Sequence, residues 1–288
     1  MLETVKKSPD HVTIRATVRR VGVYLDNHSI IDLAKGDRVR RERFVECLNR
    51  GADLMFSPTN AAEIVGPQQE SLLAVRSFLD EIGPNWFPIE GVDVVGVMER
   101  ESEGADRGTA CMSSLFVRHF FAGRHIQLYG EQRLELVQPE FFRLGFVLDW
   151  LVPQRNEIRD TMARFDEVLG KKVAQLAAAR DRNRSGFEDF LPPPSYDEAR
   201  PATFVFNGLI RQLAIESRAF RFKKGDAADF VHAVMGSAFA TYATLDKQWQ
   251  RRVEGLPHPN RLAKIYYGPQ LSQLVVDLEE AVTTSTTG

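Results

Sequence analysis

Four acidic residues, Asp26, Glu63, Asp229 and Asp246, occupy positions from which carboxylates can act together. Asp26 closes the apolar run Val21-Gly22-Val23-Tyr24-Leu25, and Asp246 closes Phe239-Ala240-Thr241-Tyr242-Ala243-Thr244-Leu245. Ligands of open parallel sheets bind beyond the carboxyl ends of strands, so an acid at each of these places is a candidate for one shared site. Glu63 falls about one turn into the helix after a second short strand, Asp53-Leu54-Met55-Phe56, and Asp229 lies in the first turn of the helix before Phe239. Converging carboxylates and waters supply the hard oxygen ligands that Mg2+ or Mn2+ requires, with no need of histidine or cysteine. A cation held there lowers the pKa of a bound water. Without the cation the carboxylates repel one another, so at least one is expected to have a raised pKa.

Each residue also has a plainer reading. Glu63 follows Asn60 by three positions, the spacing of a capping box, and acids favour a helix's first turn whatever their function. Asp229 follows Asp226 in the same way, and Asp226 could replace it as the third acid. Asp26 and Asp246 could each make a turn, though two such strand endings are harder to dismiss. Asp32 reads as a solvated helix residue. His232, one turn after Asp229, and His28, close to Asp26, stay outside the core site, because each could equally satisfy a backbone group. The run Arg38 to Arg43 and the group Arg218, Arg221, Lys223 and Lys224 could follow phosphates, although such clusters usually form solvated faces. Phe116, His119, Phe120 and Phe121 read as core.

The elements that must position the acids follow from periodicity. The strand at 21–25 leads to a helix at about 37–50 closed by Gly51, the strand at 53–56 leads to a helix from Ser57 to Val65, and another helix spans 67–82. Trp86 to Ile89 is a strand or loop before a helix near 92–101. Alternation of this kind implies right-handed parallel crossovers, hence an α/β sheet covered on both faces. From 104 to about 194 the alternation stops. Ile158, Met162, Phe165, Leu169, Val173 and Leu176 form one apolar stripe that should pack on another helix of the chain. Leu191-Pro192-Pro193-Pro194-Ser195 ends that segment as a stiff linker. Helices at 203–217 and 227–237, strands at 239–245 and 263–267, and a helix at 271–282 complete the reading. The resulting division is an N-terminal arm (1–20), a first α/β part (21–103), an α-helical insertion (104–200), a second α/β part (201–282) and a flexible tail (283–288).

These residues resemble the PIN-domain ribonucleases. Val23-Tyr24-Leu25-Asp26-Asn27-His28-Ser29 looks like that family's opening strand with its first acid, and Asn60-Ala61-Ala62-Glu63-Ile64 looks like the second. Asp226-Ala227-Ala228-Asp229-Phe230-Val231-His232 resembles the third, and Thr244-Leu245-Asp246-Lys247 the Thr-x-Asp that ends the fourth strand. The resemblance covers about 21–100 and 200–270 and leaves the helical insertion outside it. It implies a three-layer α/β/α fold with a mainly parallel sheet. It also implies hydrolysis of phosphodiester bonds, usually in RNA, by one or two divalent cations, leaving a 5′-phosphate and a 3′-hydroxyl. Asp26, Glu63 and Asp229 would hold a cation, with Asp246 completing a second site or orienting water. A DNA substrate, an antitoxin or other protein partner, and a PIN-like binding module with little nuclease activity are the alternatives, and the insertion leaves room for a homo-oligomer.

Composition sets the outer limits. The 288 residues carry 43% hydrophobic residues and a net charge of -2, so nucleic-acid contact must come from local basic patches. Two distant cysteines fit a reducing compartment, with the cytoplasm as the default. No apolar run approaches a membrane span, so no membrane partner is expected.

Overall fold

A computed structural model describes residues 2–8, 11–19, 21–65, 71–116, 143–183, 186–216, 223 and 225–286. Seven strands are described: β1 (Leu2–Ser8), β2 (His11–Ala16), β3 (Val21–Tyr24), β4 (Ala52–Phe56), β5 (Trp86–Pro88), β6 (Tyr242–Thr244) and β7 (Lys264–Tyr266). β1 and β2 pair antiparallel where the sequence suggests only an arm. The other five form one parallel sheet in the order β5-β4-β3-β6-β7. The chain starts at the central strand β3, moves outward through β4 and β5, then returns to the other side of β3 with β6 and β7. The direction of winding therefore reverses between β3 and β6, which is where an open α/β sheet opens a crevice.

The helices are α1 (Asn27–Lys35), α2 (Arg38–Asn49), α3 (Pro58–Val65), α4 (Leu72–Glu81), α5 (Val94–Glu103), α6 (Leu144–Leu151), α7 (Arg155–Arg182), α8 (Phe187–Phe190), α9 (Pro201–Glu216), α10 (Asp226–Phe239), α11 (Lys247–Glu254) and α12 (Leu271–Thr286). Strand pleating sends Val21 and Val23 of β3 and Leu54 and Phe56 of β4 to one face, where α1, α2, α4, α6 and α12 cover them. Tyr24, Met55 and Phe87 point to the opposite face, under α5, α7, α9, α10 and α11. The architecture is a three-layer α/β/α sandwich. Both faces being covered is what makes β3 and β4 continuous apolar runs rather than alternating ones.

Three local outcomes depart from the sequence reading. The run Phe239 to Leu245 divides, since α10 continues to Phe239 and β6 begins only at Tyr242. α10 is buried almost all round, so no amphipathic period marks its end. Asp26-Asn27-His28-Ser29 starts α1 directly, with Asp26 as its N-cap, and α12 continues to Thr286 through residues expected to fray.

The described part of the insertion does not stand apart as a lobe. α6 packs on α3 and α4 over one face of the sheet, and α7 packs on α9 and α10 over the other. In α7 the residues Leu169, Val173 and Leu176 are buried, as the stripe requires. Of the aromatic group, Phe116 is fully buried between Phe56 and Trp86, while His119, Phe120 and Phe121 lie outside the described residues.

One side chain ties the N-terminal segment to the sheet. Arg19 donates from its backbone N to Asp53 Oδ2 at 2.7 Å and from Nε to Oδ1 at 2.8 Å. Its Nη2 also reaches the carbonyls of Leu48, at 3.1 Å, and Ala52. Asp53, in β4, is 0% exposed, and the guanidinium offsets part of the cost of burying its charge.

Candidate functional site

The four acids border the carboxyl edge of the sheet, two of them on either side of the point where winding reverses. Asp26 follows β3 and caps α1, its Oδ1 accepting from Ser29 N at 2.9 Å. Asp246 follows β6 and caps α11 in the same way, its Oδ1 accepting from Trp249 N at 2.8 Å. Thr244, the last residue of β6, spans the gap. Its Oγ1 accepts from Asp26 N at 2.9 Å and donates to Asp26 Oδ1 at 3.0 Å. The Thr-x-Asp segment thus fixes both strand ends with one hydroxyl.

Glu63 lies on α3 and meets α10. Its Oε2 is 2.8 Å from Nε2 of His232, whose side chain is 2% exposed while that of Glu63 is 24% exposed. His232 Nδ1 in turn lies 2.7 Å from the hydroxyl of Tyr24, which lies 3.0 Å from Ser57 Oγ. The protons of this buried chain can be placed from its far end. Asn60 donates Nδ2 to Leu25 O at 2.8 Å, so its Oδ1 is the acceptor for Ser57 Oγ at 2.8 Å. Ser57 has spent its only hydrogen there and accepts from Tyr24, and Tyr24 accepts from His232 Nδ1–H. The remaining nitrogen, Nε2, faces a carboxylate. Burial alone pushes the imidazole pKa down, but Tyr24 and the Glu63 carboxylate outweigh it and hold His232 well above its ordinary value. His232 is therefore an imidazolium donating to both sides. In ¹⁵N NMR both ring nitrogens should show bound protons at pH 7.5, and a signal of a bare Nδ1 or Nε2 would refute this placement.

Gly236 makes this contact feasible. A Cβ there would meet Tyr24 Cδ1 at 2.8 Å and Ala243 Cβ at 3.4 Å, so glycine lets α10 lie close over β3 and β6.

Asp229, one turn before His232, is half-buried. Burial first, then the charges of Glu63, Asp246 and Asp226, raise its pKa to about 7, against the opposing pull of His232. The expectation that one clustered carboxylate has a raised pKa is met at Asp229. Asp226 is raised as well, by burial above all, while its carboxylate is held at 2.5 Å by Lys223 N. It turns back to its own loop, whereas Asp229 is coupled to Glu63 and Asp246. The start of α10 is held from outside by Asp166 of α7, which accepts from Gly225 N at 3.0 Å and Ala227 N at 2.9 Å. Asp166→Ala should cost about 1–2 kcal/mol in urea unfolding, the worth of a lost cap, and no change would show that α10 holds its start alone.

The donor chemistry suits a hard cation, but the geometry is not a ready-made cage. Among the described residues, no three His, Cys, Asp or Glu side chains stand together closely enough to hold a metal ion. Glu63 is taken by His232, and Asp26 and Asp246 each turn Oδ1 to the following helix. Sequence spacing brings the four acids to one edge, places His232 outside the core site and makes Asn60 a cap for Glu63, while Tyr24 and Ser57 carry no polar signal in it. The signal that could have found them is a histidine inside the apolar helix 226–239, because a buried imidazole needs partners at both nitrogens.

Comparison with protein-family models, curated proteins and solved structures finds no match for this chain.

Proposed function

We propose that this protein is a divalent-metal-dependent nuclease that hydrolyses phosphodiester bonds, with RNA as its substrate. One observation carries the reading: Asp26 and Asp246 end adjacent strands on either side of the winding reversal, joined through Thr244. The raised pKa of Asp229 supports it, since a cation would relieve the repulsion that contributes to this shift. Asp26, Glu63, Asp229 and Asp246 would hold Mg2+ or Mn2+. Bound there, the cation would supply a lowered pKa for water and a polarised phosphoryl oxygen. The chain's own residues orient and neutralise. Thr244 holds Asp26 through its backbone N and Oδ1, and His232 holds Glu63 through Oε2.

A binding module with little nuclease activity is the second reading. The observation favouring it is the Glu63–His232 pair, which neutralises one of the proposed ligands internally. The deciding experiment incubates the protein with labelled single-stranded RNA and DNA, with Mn2+, with Mg2+ and with chelator, beside Asp26→Asn. The nuclease reading expects metal-dependent cleavage of RNA that Asp26→Asn reduces about 100-fold. Cleavage that survives both chelation and the substitution would sink the mechanism, and the absence of cleavage with both metals would leave the binding module.

A further inference from the structure

α11 carries two exposed cations on one face, directly after Asp246. Trp249, Gln250, Arg252 and Val253 point into the protein, leaving Lys247, Gln248, Arg251 and Glu254 outward, with Glu254 turned to the side of β7 together with Gln250 and Val253. Lys247 and Arg251 are four residues apart, so they are neighbours on the helix surface. Among the described residues neither forms an ion pair, in a chain whose net charge is -2. Both line a cleft of about 580 Å3 with Gln212, Glu216, Arg252 and Gly255. Its one carboxylate, Glu216, is bound to Arg252 at 3.0 Å, so the cleft remains positive.

At the other side of Lys247 stands an aromatic ring. Tyr267 follows the end of β7 on the same carboxyl edge, is part exposed, and has Lys247 Nζ 5.6 Å from its ring centroid. Lys247 Nζ lies over one face of the ring, so a base would stack on the opposite face or take the place of the ammonium. An aromatic ring continuous with a basic cleft is an arrangement that binds single strands without base-specific contacts. The ring stacks a base while the cations follow the backbone.

We infer that Tyr267, Lys247 and Arg251 form a track for single-stranded RNA, leading from the acidic edge at Asp246 into the cleft between α9 and α11. The inference rests on the nuclease reading for the direction in which the strand runs. Its chemistry is recognition of phosphates and of one base face, without sequence preference.

The test measures binding of a labelled single-stranded RNA by fluorescence anisotropy, in chelator so that nothing is cut, over a range of salt concentrations. Lys247→Gln/Arg251→Gln is expected to bind about tenfold more weakly at low salt. Its slope of log affinity on log salt should be shallower by about 1.4, at about 0.7 per lost phosphate contact. Tyr267→Ala is expected to lose about tenfold at every salt concentration with the slope unchanged, as loss of a stacked base requires. Duplex RNA of the same length should bind more weakly, because its bases are not free to stack. The track is overturned if the wild type does not bind the strand, if the charge variant keeps the wild-type slope, or if the duplex binds as well. The charge changes are at exposed positions, and an unchanged circular dichroism melt separates loss of binding from loss of fold. Binding that behaves as expected in a protein that cuts nothing with Mn2+ or Mg2+ would keep the track and remove the nuclease reading.

Discussion

Arg19→Ala is expected to lower stability by about 3–5 kcal/mol, the cost of taking one partner from a buried ion pair. The guanidinium it removes serves the fully buried Asp53 carboxylate and the carbonyls at the end of α2 and the start of β4. Hydrophobic contacts around Arg19 cannot make good that loss, because the penalty comes from a charge left in a poorly solvating interior. A urea melt at pH 7.5 reads the effect as a lower midpoint with an unchanged slope. Arg19→Ala combined with Asp53→Asn should be less destabilised than the sum of the single variants, since the second change removes the charge that the guanidinium serves. A single-variant loss below about 1 kcal/mol would mean that the clamp carries little.

Asp229→Asn is expected to act in the opposite direction on stability. The carboxyl has a folded pKa of about 7 against an ordinary value of 3.8, so the native state holds its proton where the unfolded chain has released it. The stability this gives is complete below pH 3.8, declines as pH rises towards 7, and is gone above that. Asparagine keeps the shape and never ionises. The variant should therefore match the wild type near pH 4 and exceed it above pH 7. About three pKa units would correspond to about 4 kcal/mol, reduced to roughly 2–4 because the side chain is only half-buried. Urea melts at pH 4 and pH 8 measure the difference directly. Equal stabilities at both would rule out the raised pKa. On the proposed function, Mn2+ should stabilise the wild type and not the variant, so stability and metal response would move apart.

The central strands and the alternation of strand and helix were legible because burial on both faces leaves uninterrupted apolar runs such as Val21 to Leu25. The end of α10 was not legible. Phe239-Ala240-Thr241-Tyr242 offers aromatic and β-branched residues to either element, and short apolar runs cannot be divided by periodicity. The acids at strand ends could be found because strand ends are where open sheets bind ligands. Their engagement could not: whether Glu63 faces open space or His232 depends on how closely α10 approaches β3, and Gly236 sets that distance in three dimensions. Tyr24 was hidden for a simpler reason. Inside an apolar run it counts as one more hydrophobic residue, and only its hydroxyl, 208 positions from His232 in sequence, shows it to be part of a polar chain.

The strand order also governs how this protein is made. Thr244 lies 218 positions beyond Asp26, and the bonds between them hold two neighbouring strand ends. At about 5–20 residues per second, a ribosome needs about 10–40 s to deliver β6 after β3 has emerged. During that interval β3 can pair with β4 while its other edge offers unmatched amides and carbonyls, an invitation to wrong partners. Fragments that stop short of β6 would keep that edge indefinitely, so truncation before Tyr242 should yield aggregates, and chaperone demand should span the interval between the appearance of β4 and that of β6.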